Sequence, residues 1–417
     1  MANVTSLKSK QQREPLPRRI VNFYANVFRA QSLEFNMVLG ITMLLMIYGL
    51  VMVLSASSIV AIRDNNNAFS IFGKQVLFAA IGFIALSLAS IMPVTFWRRM
   101  GFPIFVGALI LQLLTFIPGI RVSVNGNSSW IHVGSFTIQP AEFLKVAMIL
   151  LMSIYFERHQ DGMYHDQKTV WKAFALPAFG MALVVLGRDL GTTLVIAMIA
   201  LALVWLFGAP GSSLRMPLVA AGLGVAVFVL GGSLVGGTSR VGRISAWLSQ
   251  SSDTANAYAW QSQHGIWALA AGHLTGVGLG MSKLKWSWIP EVDNDYIFAI
   301  IGEELGLLGA LFTILLFLTL GFFLVRISLR SQSVVGRSVV MGVAVWITLQ
   351  AMINIAVVLQ WLPVLGVPLP LISSGGSSLI SGLAGIGLCL SFERENHAVL
   401  DGGRRVRVAT EKPGRRR

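Results

Sequence analysis

The chain has 417 residues, of which 55% are hydrophobic and 12% are charged. A soluble domain needs about twice that share of charged residues to cover its surface, so the composition excludes a large soluble protein. The net charge is +14, and much of it sits in the two terminal tails. Because the sequence shows neither zinc-ligand spacing nor a basic recognition helix, this charge indicates contact with anionic lipid, and no nucleic-acid partner is expected.

Apolar runs long enough to cross a bilayer recur along the whole chain. Residues 1–34 come before the first run and contain no cleavable signal sequence, which predicts a basic cytoplasmic tail. Residues 35–395 are predicted to form the transmembrane domain, and residues 396–417 a disordered basic cytoplasmic tail. The predicted spans are roughly 35–56, 69–92, 101–119, 139–156, 172–187, 190–208, 216–236, 296–325, 338–361 and 372–392. The fold class is thus an all-α polytopic membrane protein with about ten transmembrane helices.

The distribution of Lys and Arg predicts the orientation. With the N- and C-termini both cytoplasmic, most of these residues fall in cytoplasmic segments, as the positive-inside rule expects. The longest external segment is then a loop of residues 237–295 between helices seven and eight. Within it, residues 257–276 resemble a further span but contain two Gln and two His, which favours a helix on the outer surface. Spans five and six are joined only by Arg188 and Asp189, and they form either two spans or one broken, re-entrant pair.

Charged residues at membrane depth are few, and each is a candidate functional residue. Glu142 and Lys145 follow Pro140 in the first two turns of span four. Their spacing of three puts them on one helix face, where they serve either to fix helix packing or to line a site. Asp189 belongs either to a solvated turn or to a site. Asp295 is either the N-cap of span eight or a functional carboxylate.

The predicted orientation brings these candidates to one side of the membrane. Spans four, six, eight and ten all start at the outer face, so their N-termini carry Glu142 and Lys145, Asp189, Asp295 and Ser377. Helix N-termini favour anionic ligands, and the outer loop adds Arg243, Lys283 and Lys285 as cations. We expect an outward-facing polar cavity that suits a lipid-linked diphosphate. The alternative is that these segments pack together without any ligand.

Familiar catalytic constellations are missing from the sequence. There is no Walker loop for nucleotide hydrolysis and no serine elbow for acyl transfer. The six His residues are scattered, so we predict no metal site and no required cofactor. A divalent cation, Mg²⁺ or Mn²⁺, is compatible with a diphosphate substrate.

Several motifs, in order and on ten predicted spans, resemble those of the SEDS proteins, which are bacterial cell-wall glycosyltransferases. They are QPAEFLK at 139–145, DLGT at 189–192, LTGVGLG at 274–280, IPEVDNDYIFA at 289–299, GEELG at 302–306, Asn354, GVPLPLIS at 366–373 and GGSS at 375–378. The resemblance covers roughly residues 35–392. Gly302 is more typical of the cell-division branch of the family than of the elongation branch, which stays an alternative. Arg188 and Ser374 depart from the usual pattern, in which proline and an aromatic residue stand there.

The resemblance implies an activity and a set of roles. Such enzymes polymerise lipid II at the outer face of the plasma membrane, here during division at the septum. It implies that Asp295 is the general base and that Glu142 and Lys145 shape the cavity. Arg243, Lys283 and Lys285 would contact the diphosphate, and Asp189 and Ser377 would line the site. The implied partners are lipid II, a class B penicillin-binding protein and other division proteins.

Two other functions remain open from the sequence. The chain could instead flip lipid-linked precursors across the membrane, since polar helix interruptions occur in transporters. It could also be a non-catalytic scaffold of the division machinery. The gathering of carboxylates on the outer side favours the polymerase.

Overall fold

The computed structural model describes residues 32–124, 127–134, 136–208, 247, 257–286 and 289–410. Predicted span seven (216–236) and Arg243 lie outside the described residues. The described part contains eleven α-helices and three β-strands. In chain order they are α1 Leu33–Asn65, α2 Ser70–Ile91, α3 Val94–Leu114, β1 Arg121–Val124, β2 Asn127–Val133, β3 Phe136–Ile138, α4 Pro140–Arg158, α5 Gln160–His165, α6 Gln167–Leu186, α7 Leu190–Phe207, α8 Ala257–Ala271, α9 Ile297–Arg330, α10 Val334–Val358 and α11 Gly376–Thr410.

Eight of these helices are long and apolar enough to cross a membrane: α1, α2, α3, α6, α7, α9, α10 and the first 22 residues of α11. Each coincides with a predicted span. The structure therefore confirms a mainly helical, multi-pass membrane protein, while the total of ten spans and the cytoplasmic location of both termini stay predictions.

Helix α4 coincides with predicted span four but is more highly charged than the other eight. Its 19 residues include Glu142, Lys145, Glu157 and Arg158. Most of the helix is nevertheless buried, because it packs against α3, α6, α7, α10 and α11. Glu142 and Lys145 are therefore paired inside the protein, which is how ionisable residues are tolerated at membrane depth, whereas Arg158 is exposed at the end of the helix.

The prediction of an all-α fold is wrong in one place. The segment between α3 and α4 forms a three-stranded antiparallel sheet in the order β1-β2-β3. Arg121 pairs with Ile131, and Ile131 pairs in turn with Ile138. The sequence carries a signal for this sheet in Asn125-Gly126. An Asn-Gly dipeptide between two runs of alternating residues is typical of a β-hairpin.

The last helix extends into the predicted C-terminal tail. Helix α11 runs on to Thr410, past residue 396, while the disorder and cytoplasmic location of the tail stay predictions. A helix that is already formed adds further residues without the cost of a new nucleus, so the polar residues after the span continue it.

The helix predicted within residues 257–276 is confirmed as α8, which has 15 residues, while its place on the outer surface stays a prediction. At 1.5 Å per residue it is about 22 Å long, which is too short to cross a hydrocarbon core of about 30 Å. Helix α8 packs against α9 and α10. The side-chain amide of Gln261 donates to the carbonyl of Pro290 at 2.9 Å, so α8 holds the residues that lead into α9.

Candidate functional site

The N-termini of α4, α7 and α11 meet at Gln139, the residue that precedes α4. Its side-chain amide donates to the Asp189 carboxylate at 2.7 Å, and its backbone N–H donates to the Ser377 hydroxyl at 2.9 Å. Asp189 also caps α7 by accepting from the Thr192 backbone N–H at 3.0 Å. The predicted convergence of these helix starts is therefore confirmed, and Asp189 belongs to a buried network and not to a solvated turn.

The residues before α9 join the same group of helix starts. The Ser373 hydroxyl donates to the carbonyl of Asn294 at 2.7 Å, and the Ser374 backbone N–H donates to the carbonyl of Asp293 at 2.8 Å. The side-chain amide of Asn354 donates to the carbonyl of Asp295 at 2.8 Å. The residues that lead into α11 thus hold the loop that carries Asp295.

Asp295 is half-buried at the end of this loop. The N-cap position of α9 belongs to Tyr296, which makes no side-chain cap, so the interpretation of Asp295 as a helix cap is wrong. The loop turns at Glu291, whose φ is 53° and whose carbonyl accepts from the N–H groups of Asn294 and Tyr296.

Two further carboxylates in this loop are electrostatically perturbed. Burial raises the pKa of Asp293 above its usual range. The pKa of Glu291 is raised by burial first and then by the negative charge of Asp293. Both groups therefore hold a proton at higher pH than a solvated carboxylate does.

Glu142 and Lys145 form a fully buried ion pair. The Lys145 ammonium lies 2.7 Å from the Glu142 carboxylate, and their side chains are 1% and 2% exposed. Lys145 also donates to the side-chain oxygen of Gln350 at 2.9 Å and lies 4.8 Å from the ring centroid of Trp346. The pair therefore joins α4 to α10, and a substrate that touched it would have to enter the helix packing.

Lys283 and Lys285 differ sharply in their surroundings. Lys283 is exposed, as a diphosphate contact requires. Lys285 is 3% exposed, and its ammonium lies 3.0 Å from the Glu304 carboxylate and 3.3 Å from the Ser55 hydroxyl. Lys285 is therefore held by a buried carboxylate, while the contact of Lys283 with a diphosphate stays a prediction.

Helix α9 is broken at Gly306, and the stretch of residues 272–278 fills the break. Gly306 has φ 68° and ψ −167°, a conformation that is essentially restricted to glycine. The N–H groups of Val277 and Gly278 donate to the carbonyls of Glu303 and Glu304, both at 3.0 Å. The N–H of Leu307 donates back to the carbonyl of His273 at 2.9 Å. Part of the predicted outer loop is thus fixed along the first half of α9.

Four buried amide side chains belong to these networks: Gln75, Gln139, Gln350 and Asn354. From the sequence, Gln139 and Asn354 are identified only as members of motifs, and Gln75 and Gln350 are not identified. Gln75 donates to the carbonyl of Ser373 at 3.1 Å, and Gln350 to that of Pro368 at 3.0 Å. The signal that could have found them is an uncharged polar residue inside an apolar span, which is buried only if it is hydrogen-bonded.

No group of three His, Cys, Asp or Glu residues in the described part of the chain is arranged to hold a metal ion. The candidate site in that part therefore consists of Asp295 in its loop, the Gln139 network, the buried Glu142–Lys145 pair and the exposed Lys283.

Comparisons with known proteins agree with this architecture. The profile of the FtsW/RodA/SpoVE family, described as cell cycle proteins, matches residues 35–398. A protein of Mycobacterium tuberculosis named "Probable peptidoglycan glycosyltransferase FtsW" is 34% identical over 383 residues, which cover 90% of this chain and 71% of the relative. Stage V sporulation protein E of Bacillus subtilis is 34% identical over 354 residues, covering 85% of this chain and 95% of the relative.

Solved structures show the same fold. The chain is similar to one in a structure described as "Structural coordination of polymerization and crosslinking by a peptidoglycan synthase complex", with a TM-score of 0.67 at 23% identity over 89% of this chain and 99% of that chain. It is also similar to the rod shape determining protein RodA of Thermus thermophilus, with a TM-score of 0.62, 23% identity and the same coverage. The chain therefore belongs to the FtsW/RodA/SpoVE family of cell cycle proteins.

Proposed function

We propose that this protein is a peptidoglycan glycosyltransferase that polymerises lipid II into glycan strands at the outer face of the plasma membrane during cell division. The observation that carries the proposal is the match to relatives named "Probable peptidoglycan glycosyltransferase FtsW" over 85% and 90% of this chain. The name FtsW, which these relatives share and which belongs to the cell-division branch of the family, favours the division role over the elongation role.

The reaction that we propose is a single displacement at a sugar carbon. The 4-hydroxyl of the acceptor sugar attacks the anomeric carbon of the donor, the bond from that carbon to the diphosphate breaks, and the configuration inverts. Asp295 takes the proton of the attacking hydroxyl as general base. One carboxylate suffices because diphosphate leaves without needing to be fully protonated.

The described geometry supports Asp295 in this role. Its loop is held through backbone carbonyls by Asn354, Ser373 and Ser374. The side chain therefore comes from a rigid loop, which favours efficient proton transfer from a bound hydroxyl.

The other site residues take supporting roles in the proposal. Lys283, which is exposed, contacts the diphosphate together with Arg243, and Lys285 acts indirectly by fixing the loop before Asp295. Asp189 and Ser377 order the helix starts through Gln139. Glu142 and Lys145 shape the site from within the bundle. No resident metal is included, and a divalent cation would arrive with the substrate diphosphate.

The working unit that we propose includes a class B penicillin-binding protein that crosslinks the new strands. The structural likeness to a chain of a peptidoglycan synthase complex supports such a partner. Other division proteins would bring the unit to the septum.

The proposal is tested with the purified protein and its penicillin-binding partner in liposomes supplied with lipid II. We expect polymer from the wild-type protein and none above background from Asp295→Asn. Asp161→Asn, a change in an exposed carboxylate of α5, is the matched control and should keep full activity.

Two outcomes would contradict the proposal. Normal polymer from Asp295→Asn would remove Asp295 as the base. Transfer of fluorescent lipid II between leaflets without polymer formation would favour a flippase. A protein that showed neither polymerisation nor transfer would favour a scaffold role.

A further inference from the structure

The connection between α10 and α11 is irregular in backbone yet mostly buried. In residues 364–372, Val364, Leu365, Val367, Leu369, Leu371 and Ile372 are all buried. The stretch passes close to two helices, because a Cβ added to Gly191 of α7 would lie 2.3 Å from the carbonyl oxygen of Leu365. A Cβ added to Gly49 of α1 would lie 2.8 Å from that of Leu371. We call these residues the buried connection.

A buried irregular backbone needs hydrogen-bond partners that helices and sheets would otherwise provide. Two amide side chains one turn apart on α10 supply them here. Asn354 donates to the carbonyl of Val367 at 2.8 Å, and Gln350 donates to the carbonyl of Pro368 at 3.0 Å. Consecutive carbonyls of the buried connection are thus bound to one face of α10.

Each of these amides also reaches a second part of the candidate site. The amide nitrogen of Asn354 carries two hydrogens, and it lies 2.8 Å from the carbonyl of Asp295 as well. The side-chain oxygen of Gln350 accepts from Lys145 at 2.9 Å and from Trp346 at 2.8 Å. One set of hydrogen bonds therefore links Lys145 through Gln350 to Pro368. A second set links Val367 through Asn354 to the backbone of Asp295. The peptide bond between Val367 and Pro368 connects the two sets.

We propose that Asn354 and Gln350 are positioning residues for the transfer reaction, and that they hold Asp295 in register with the Glu142–Lys145 pair. The proposal rests on the proposed function for the role of Asp295. Asn354 contacts the Asp295 main chain, and Gln350 contacts Lys145, so both act through the placement of other groups. The buried pair then contributes to activity by fixing α4 against α10, without touching the substrate.

The physical reason is the sensitivity of proton transfer to distance. Misplacing a reacting group by about 1 Å can lower a rate by about a hundredfold. Without the Asn354 amide, the buried carbonyl of Val367 and the partly buried carbonyl of Asp295 lose this donor, and the Asp295 loop loses this link to α10. Substrate binding elsewhere in the site does not depend on that link.

The test compares Asn354→Ala, Asn354→Ser and Gln350→Ala with the wild-type protein in the liposome assay. We expect kcat to fall about ten- to a hundredfold for Asn354→Ala, with KM for lipid II little changed, and by less for Asn354→Ser, which keeps one donor. Ser338→Ala is the matched control, because its buried hydroxyl bonds only within α10. It should keep the wild-type kcat.

Hydrogen exchange supplies a second measurement that does not depend on activity. In Asn354→Ala, exchange should rise in the peptide covering residues 290–296 and stay unchanged in α4. In Gln350→Ala, exchange should rise in residues 364–372.

Unchanged exchange and unchanged kcat would overturn the proposal. If Asp295→Asn polymerised normally while Asn354→Ala raised exchange at 290–296, the general base would be wrong but the positioning contact would stand. If Asn354→Ala failed to fold, Asn354→Ser would decide by the same two measurements.

Discussion

The side-chain amide of Gln139 donates a hydrogen bond to the carboxylate of Asp189 at 2.7 Å, although the two residues lie 50 positions apart in the chain. The same residue binds the Ser377 hydroxyl through its backbone. One residue thus fixes the starts of three helices relative to one another.

Replacing Gln139 should destabilise this junction. Gln139→Ala leaves the buried Asp189 carboxylate with one donor fewer, a change that costs about 1–3 kcal/mol. We expect a lower melting temperature in detergent, measured by intrinsic fluorescence. Gln160→Ala, an exposed glutamine that bonds only to the carbonyl of Glu157 at 3.2 Å, is the control. Equal melting temperatures for both variants would contradict the importance of the Gln139 link.

The buried pair of Glu142 and Lys145 should behave as a unit. Lys145→Met alone leaves the Glu142 carboxylate buried without its cation, which costs about 3–5 kcal/mol. The double variant Glu142→Gln/Lys145→Met removes both charges and should recover most of the melting temperature. Because Met offers no donor to Gln350, we expect polymerisation to stay reduced. Full recovery of activity would show that the pair serves packing alone.

Lys283 and Lys285 should separate in their effects. Lys285→Ala removes the partner of the buried Glu304 carboxylate and should lower the melting temperature. Lys283→Ala removes an exposed ammonium and should leave the melting temperature unchanged while raising KM for lipid II. If Lys283→Ala left KM unchanged, the exposed lysine would not be a diphosphate contact.

Gly306 should not tolerate a side chain. A Cβ there would lie 2.4 Å from the backbone nitrogen of Gly276 and 2.5 Å from the carbonyl oxygen of Leu274. Besides this steric overlap, the strained backbone conformation would destabilise the folded Gly306→Ala variant by about 1–3 kcal/mol. We expect poor folding, seen as loss of the monodisperse peak in size-exclusion chromatography. Gly107→Ala in α3 is the matched control, since a Cβ there meets nothing within 4 Å, and it should fold normally.

Stability should depend on the protonation of the loop before α9. The pKa values of Glu291 and Asp293 are raised in the folded protein, so the folded state binds these protons more tightly than the unfolded state. Their effect on stability is thus most favourable below the ordinary carboxylate pKa of about 4 and is lost as the pH rises through the raised values. Removing the charge of Glu291 by Glu291→Gln should weaken this loss.

Thermal unfolding at a series of pH values from 4 to about 8 checks this dependence. The difference in melting temperature between Glu291→Gln and the wild-type protein should grow in favour of the variant as the pH rises. Glu395→Gln, a change at an exposed glutamate of α11, serves as the control. A constant difference across the series would contradict the linkage.

The sequence alone determined the membrane class, the long helices now described and the helix starts that carry the polar residues. These features depend on short-range properties: the length of an apolar run, a proline in a first turn at Pro140, or an aspartate before a helix at Asp189. Such patterns can be recognised in the sequence because the residues that form them are close together in the chain and belong to one helix. The motifs of the family added the candidate role of Asp295.

Only the tertiary structure decided which of these groups are partners. Lys283 and Lys285 look alike in sequence, yet one is exposed and the other lies against Glu304 and Ser55. The break at Gly306 exists because another stretch of chain fills it. The amides of Gln350 and Asn354 donate hydrogen bonds to carbonyls that lie 18 and 13 residues further along the chain. The physical reason is that burial and hydrogen bonding depend on distances in space between separate helices, which no local pattern of residues contains.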